Sequence, residues 1–131
     1  MTRPLVEVAI DGKKLHAVFD TGAWRSYIRS DLAQEFQIAP VQPFEVRLGG
    51  ATFKVEEGRL VSGLIKDTEG RAYQFSHVLF PAPDLGEEAG QRVDLFFGAV
   101  LLEDWGTIIN ESTLPPYVDY YRLRKGELTE L

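Results

Sequence analysis

A chain of 131 residues can bury one self-sufficient core but has no room for two catalytic lobes, and its 44% hydrophobic and 26% charged content is that of an ordinary folded protein. With 20 acidic against 14 basic residues the net charge is −6, which argues against nucleic acid as a partner, because a phosphate backbone calls for clustered cations. The lack of cysteine removes disulfides and thiol chemistry. His16 and His77 show no HExxH spacing, so neither a metal nor another cofactor is expected.

In chain order, "PLVEVAI" and "KKLHAVF" are β-type runs joined by Asp11-Gly12, a dipeptide suited to the positive φ of a tight hairpin. The second run delivers Asp20 to a strand end, where "DTG" makes a turn. "SDLAQEFQI" has a capping residue in Ser30 and helical spacing at Leu32 and Phe36, and Pro40 stops it, so a short helix is expected there. "FEVRLGGATFKV" alternates around Gly49-Gly50 and reads as a mobile hairpin. A turn at "DTEG" leads into the strand "RAYQFSHVLF", with Tyr73, Phe75 and His77 on one face. "PAPDLGEEAGQ" is a loop. A buried strand over 93–97, a break at Gly98, a short helix over 99–104 and a strand over 106–110 follow. "YVDYYRLR" reads as a final strand, and the tail "KGELTEL" as frayed. The sum is one mainly β domain over 1–131, with its core over about 4–110, a C-terminal strand and tail over 111–131, and two short helices. No run approaches the ~18 apolar residues of a membrane span and the N-terminus lacks an apolar signal region, so a cytoplasmic chain with no membrane partner is expected.

One acidic residue draws the chemistry. Asp-Thr-Gly by itself is an ordinary turn, but Asp20 ends a strand that should be buried, where a carboxylate is costly unless it is paired or used.

Three segments in order, "AVFDTGAWRSYI", "VRLGGATFKV" and "VDLFFGAVLLEDWG", resemble the retroviral-type aspartic proteases, the retropepsins. The resemblance implies a single-lobe, retropepsin-like closed β-barrel with a flap hairpin, functional as a homodimer. In that family each chain supplies one aspartate, which accounts for the single "DTG". It implies an endopeptidase in which two Asp20 carboxylates, one per protomer, share a proton and activate water, without metal or cofactor. By the same resemblance Thr21 would brace the partner's loop, Gly22 would bring its N–H to the carboxylate, and Gly98 would pack behind the loop. Gly49 and Gly50, with Leu48 and Ala51, would form the flap over a peptide substrate. Ala23, Trp24 and Phe97 would line the cleft, and the last two suggest apolar side chains flanking the cut.

Three features depart from the family pattern. Ala23 has no hydroxyl to donate to the carboxylate, which points to activity at mildly acidic to near-neutral pH. Trp24 replaces a small or polar residue, and could wall the cleft, pack between protomers or block access. Ala99 and Val100 replace a polar pair after Gly98, and the tyrosines Tyr117, Tyr120 and Tyr121 could supply interface instead or cover their own domain. The alternative function is a catalytically silent module of the same fold that dimerises or binds peptide.

Overall fold

The structure is a computed structural model that describes residues 3–113 and 116–126. Strands β1 (Leu5–Ile10) and β2 (Lys13–Phe19) form the expected hairpin, turning on Asp11 at φ 50° and Gly12 at φ 77°. β3 (Tyr27–Arg29) runs straight into α1 (Ser30–Ala33). This helix is shorter than the spacing of Leu32 and Phe36 suggested, and Arg29, not Ser30, stands at its N-cap. The chain leaves helical geometry because β4 (Gln37–Ala39) pairs with residues 58–60, so sheet hydrogen bonds override a weak local helix preference.

The glycine-tipped hairpin comprises β5 (Phe44–Leu48) and β6 (Ala51–Val55), with Gly49 and Gly50 both at positive φ. The long pair β7 (Gly58–Lys66) and β8 (Ala72–Ala82) follows. The loop after β8 contains a two-residue ladder, β9 (Glu87–Glu88) with β10 (Gln91–Arg92). β11 (Leu95–Phe97) leads through Gly98 into α2 (Ala99–Asp104), and β12 (Thr107–Asn110) pairs with β13 (Tyr117–Tyr120).

The last expected strand is cut short: residues 121–125 form a third helix, α3 (Tyr121–Lys125). Three cations in its final turn suit the helix dipole, and Gly126 at φ 66° ends it in left-handed geometry. Arg124 anchors it to the preceding strand through two 3.0 Å hydrogen bonds to the Asp119 carboxylate. The expected fraying of the tail lies outside the described residues.

Six strands close a barrel in the order β1, β2, β11, β3, β8, β7, with β1 meeting β7 at Val8 and Ile65. β11 threads between the two strands that flank the Asp20 loop, parallel to β2 and antiparallel to β3. Buried Asp94 braces that insertion: it accepts from Arg29 Nη1 at 2.6 Å and from the His16 backbone N–H at 2.8 Å, tying β11 to both neighbours. Strand alternation then divides the side chains. Ala17, Phe19, Leu95 and Phe97 face a core centred on Trp105, which packs against Phe75, Phe97 and Tyr120, whereas Val18 and Phe96 face a second cluster beneath the β5–β6 hairpin. Val118 and Tyr120 belong to the first core, so β13 covers its own domain. Among the described residues no helix is long and apolar enough to cross a membrane.

Candidate active site

Asp20 emerges where β2 ends. Its N–H donates to the Phe97 carbonyl at 3.0 Å, extending the β2–β11 ladder by one step and fixing where the side chain leaves the barrel. The turn then folds back on the carboxylate: the Gly22 N–H donates to Asp20 Oδ1 at 2.9 Å, and the Ala23 N–H to the Asp20 carbonyl at 3.3 Å. A Cβ at residue 22 would stand 3.1 Å from that same Oδ1, so glycine permits the approach. The Asp20 side chain remains 36% exposed, open enough to meet water or substrate.

Gly98 stands behind the loop. A Cβ there would collide with the Arg25 carbonyl oxygen and lie 2.8 Å from that of Ala23. The close approach is used: Ala99 N–H donates to the Ala23 carbonyl at 2.7 Å, Val100 N–H to the Trp24 carbonyl at 3.3 Å, and the Gly98 N–H to the buried Ser26 hydroxyl at 2.9 Å. The start of α2 therefore clamps residues 23–26, which hold the Asp20 turn.

A cleft of about 470 Å³ opens over this turn. Asp20, Gly22, Ala23 and Trp24 form one wall, and Leu48 and Gly49 of the hairpin form the other. Gly50 and Ala51 lie at the hairpin tip, outside that lining, and Thr21 is exposed beside the turn with no hydrogen-bond partner for its side chain among the described residues. Trp24 is 70% exposed and walls both this cleft and a neighbouring hollow of about 640 Å³ over α2 and β8.

Phe97 requires a correction. It is fully buried, packed on Phe19 and Trp105, and does not line the cleft. Its neighbour Phe96 does, because the β11 register pairs Phe97 with inward-facing Phe19 and turns Phe96 to the hairpin side. The expectation of apolar flanking residues then rests on Trp24 and Phe96 in place of Trp24 and Phe97.

Sequence reading also missed several neighbours. Arg3 Nη1 lies 3.7 Å from Asp20 Oδ2 while its Nε is held by Glu88 at 2.7 Å, a contact between residues 85 positions apart that no local pattern announces. Arg25, Tyr27, Glu45, Val46 and Arg47 complete the lining. Burial pushes the Tyr27 hydroxyl above its ordinary range, with the adjacent Arg25 cation pulling the other way. For Arg25 and Tyr27 a signal existed, since they follow the motif directly in "DTGAWRSYI".

The solution structure of the simian foamy virus (mac) protease is similar to this chain at 15% identity, covering 76% of this chain and 91% of that one with a TM-score of 0.41, too slight a likeness to rest anything on. Comparison with curated proteins found no match. A family model described as aspartyl protease matches residues 6–95, a span that includes the Asp20 turn, the β5–β6 hairpin and the first residue of β11. By that match over more than half its length, and by a single closed barrel carrying one copy of the motif, this chain belongs to the aspartyl protease family and is retropepsin-like in build.

Proposed function

We propose that the protein is a homodimeric aspartic endopeptidase in which Asp20 of each protomer supplies half of a catalytic dyad. The observation that carries this reading is a partly exposed carboxylate oriented by the Gly22 N–H on a cleft wall, within a loop whose Thr21 and Trp24 are exposed. The other carboxylate lining the cleft, Glu45, sits on the hairpin wall, and in this reading a second copy of the loop supplies the carboxylate that faces Asp20.

The chemistry follows from bringing two carboxylates to about 3 Å. Like charges so close repel, so the two carboxylates share one proton. The ionised member takes a proton from a water molecule, which attacks the scissile carbonyl as the protonated member donates to its oxygen. Collapse of the tetrahedral intermediate with protonation of the amine then releases both products. The Gly98 clamp fixes the loop, and the glycine-tipped hairpin closes over an extended peptide and excludes water.

The test is cleavage of a mixed peptide library by wild type and Asp20→Asn across pH 4 to 8, with sedimentation of both. Cleavage lost in a variant that still dimerises supports the shared dyad. A wild-type dimer that retains peptide without cutting it would replace the reading with the silent binding module.

A further inference from the structure

We infer that Arg25 makes the cleft selective for peptides with a carboxylate side chain near the scissile bond. The inference rests on the peptide-cleft reading above and adds the substrate's charge.

Five of the nine arginines in this acidic chain are neutralised, and four, Arg25, Arg47, Arg92 and Arg122, have no ion pair among the described residues. Arg3, Arg29, Arg59, Arg71 and Arg124 each hold a carboxylate oxygen at 3.0 Å or less. Arg25 does not: no carboxylate among the described residues comes within ion-pair distance, although it lines the same cleft as Asp20. Its guanidinium is nevertheless held in place. The central carbon lies 4.1 Å from the centroid of the Phe44 ring at the base of the hairpin, and the Tyr27 hydroxyl is adjacent.

A guanidinium seated over a ring in this way keeps N–H groups free to grip a carboxylate. The backbone is equally fixed, because the Arg25 carbonyl packs on Gly98. Arg47, on the exposed face of β5, adds to the same cleft a second cation with no ion-pair partner among the described residues. Glu45, the opposing charge on that strand, faces Lys54 across the hairpin register. A pre-oriented, unneutralised fork beside the reacting carboxylate is a recognition element for an anion, and in a peptide cleft that anion is an Asp or Glu side chain. A two-fold dimer places one Arg25 on each side of the cut, so acidic residues are expected on both sides of it.

The experiment presents a degenerate octapeptide library to wild type, Arg25→Gln and Arg25→Glu, with cut sites read by mass spectrometry. Retention of the same library on immobilised Asp20→Asn, with and without Arg25→Gln, gives a readout independent of cleavage. Wild type is expected to favour Glu over Gln near the cut by about tenfold, Arg25→Gln to lose the preference and Arg25→Glu to turn it toward Lys. Cleavage without acidic preference, or a preference unchanged in both variants, overturns the inference and leaves the protease reading standing. Acidic peptides enriched on the Asp20→Asn column, the enrichment lost with Arg25→Gln, but cut by no form uphold Arg25 as the acid-selecting residue of a peptide cleft and overturn the protease reading; enrichment that survives Arg25→Gln overturns the inference. Retention without acidic enrichment, or no retention and no cutting, overturns the inference.

Discussion

Alanine at position 98 would test whether the clamp behind the Asp20 turn is as tight as the geometry implies. Gly98 has φ −93° and ψ −177°, extended backbone that alanine adopts freely, so the whole penalty comes from crowding. The added methyl meets backbone on the facing segment, the carbonyl oxygens of Ala23 and Arg25, which have no rotamer to escape into. Overpacking of this kind costs about 1–3 kcal/mol. Moving residues 23–25 away also breaks the Ala99 and Val100 hydrogen bonds, at about 1 kcal/mol each. The total of about 3–5 kcal/mol corresponds to a melting temperature lowered by roughly 10–20 °C in a domain of this size. Displacing the loop that aims Asp20 should lower kcat/KM about a hundredfold at temperatures where the variant is folded. Thermal unfolding followed by circular dichroism, with peptide cleavage alongside, measures both. Gly70→Ala is the control: at φ 82° with open space around it, it should cost only about 1–2 kcal/mol of backbone strain. Melting of Gly98→Ala within about 2 °C of wild type would refute the crowding argument.

Three further outcomes are expected. Burial holds the His77 imidazole below its ordinary value of 6.5, against the opposite pull of Asp104. The folded state thus binds the proton less readily than the unfolded one, and this stabilisation is present above pH 6.5 and lost as pH falls through the folded-state value. Melting temperature should decline below about pH 6.5, and His77→Gln should flatten that decline. The Asp119 carboxyl, held down by hydrogen bonds from Arg124, acts in the same sense only below its ordinary 3.8, outside a pH 5 to 8 range of melts. Tyr120 donates its hydroxyl to the Lys66 carbonyl at 3.2 Å from within the core. Chemical denaturation should show Tyr120→Phe costing about 1 kcal/mol and Tyr120→Ala about 3–5 kcal/mol. Gly50→Val forces a β-branched residue to φ 82° at the hairpin tip, a local strain of about 1–2 kcal/mol. It should lower kcat/KM about tenfold while shifting melting only a few degrees, and undiminished cleavage would detach the hairpin from catalysis.

What could be read in the sequence was whatever local chemistry determines. Asp11-Gly12 and Gly49-Gly50 need positive φ, and alternating runs on either side of them can only be hairpins. Gly98 interrupts an apolar strand just before a helical run, and the structure gives it the close approach that a side chain would forbid. What could not be read depended on distant partners. β4 is a strand because residues 58–60 wait beside it, a pairing invisible within "QEFQIA". Phe96 and Phe97 differ only in parity, and parity is set by the alignment of β11 on β2, across nearly eighty residues. The Arg3 contact with Asp20 and the Asp94 brace to Arg29 likewise join segments that only barrel closure brings together. The third helix was the exception: three cations followed by Gly126 were a legible C-terminal signal, outweighed by the tyrosines' preference for strand.

The shared dyad is tested most directly by mixing. Wild type and Asp20→Asn, combined in equal amounts at fixed total concentration and left to exchange subunits, should give about a quarter of the wild-type rate, because only wild-type pairs in a two-fold dimer carry both carboxylates. A rate of about one half, proportional to the wild-type fraction, would mean that each chain works alone and would contradict the account.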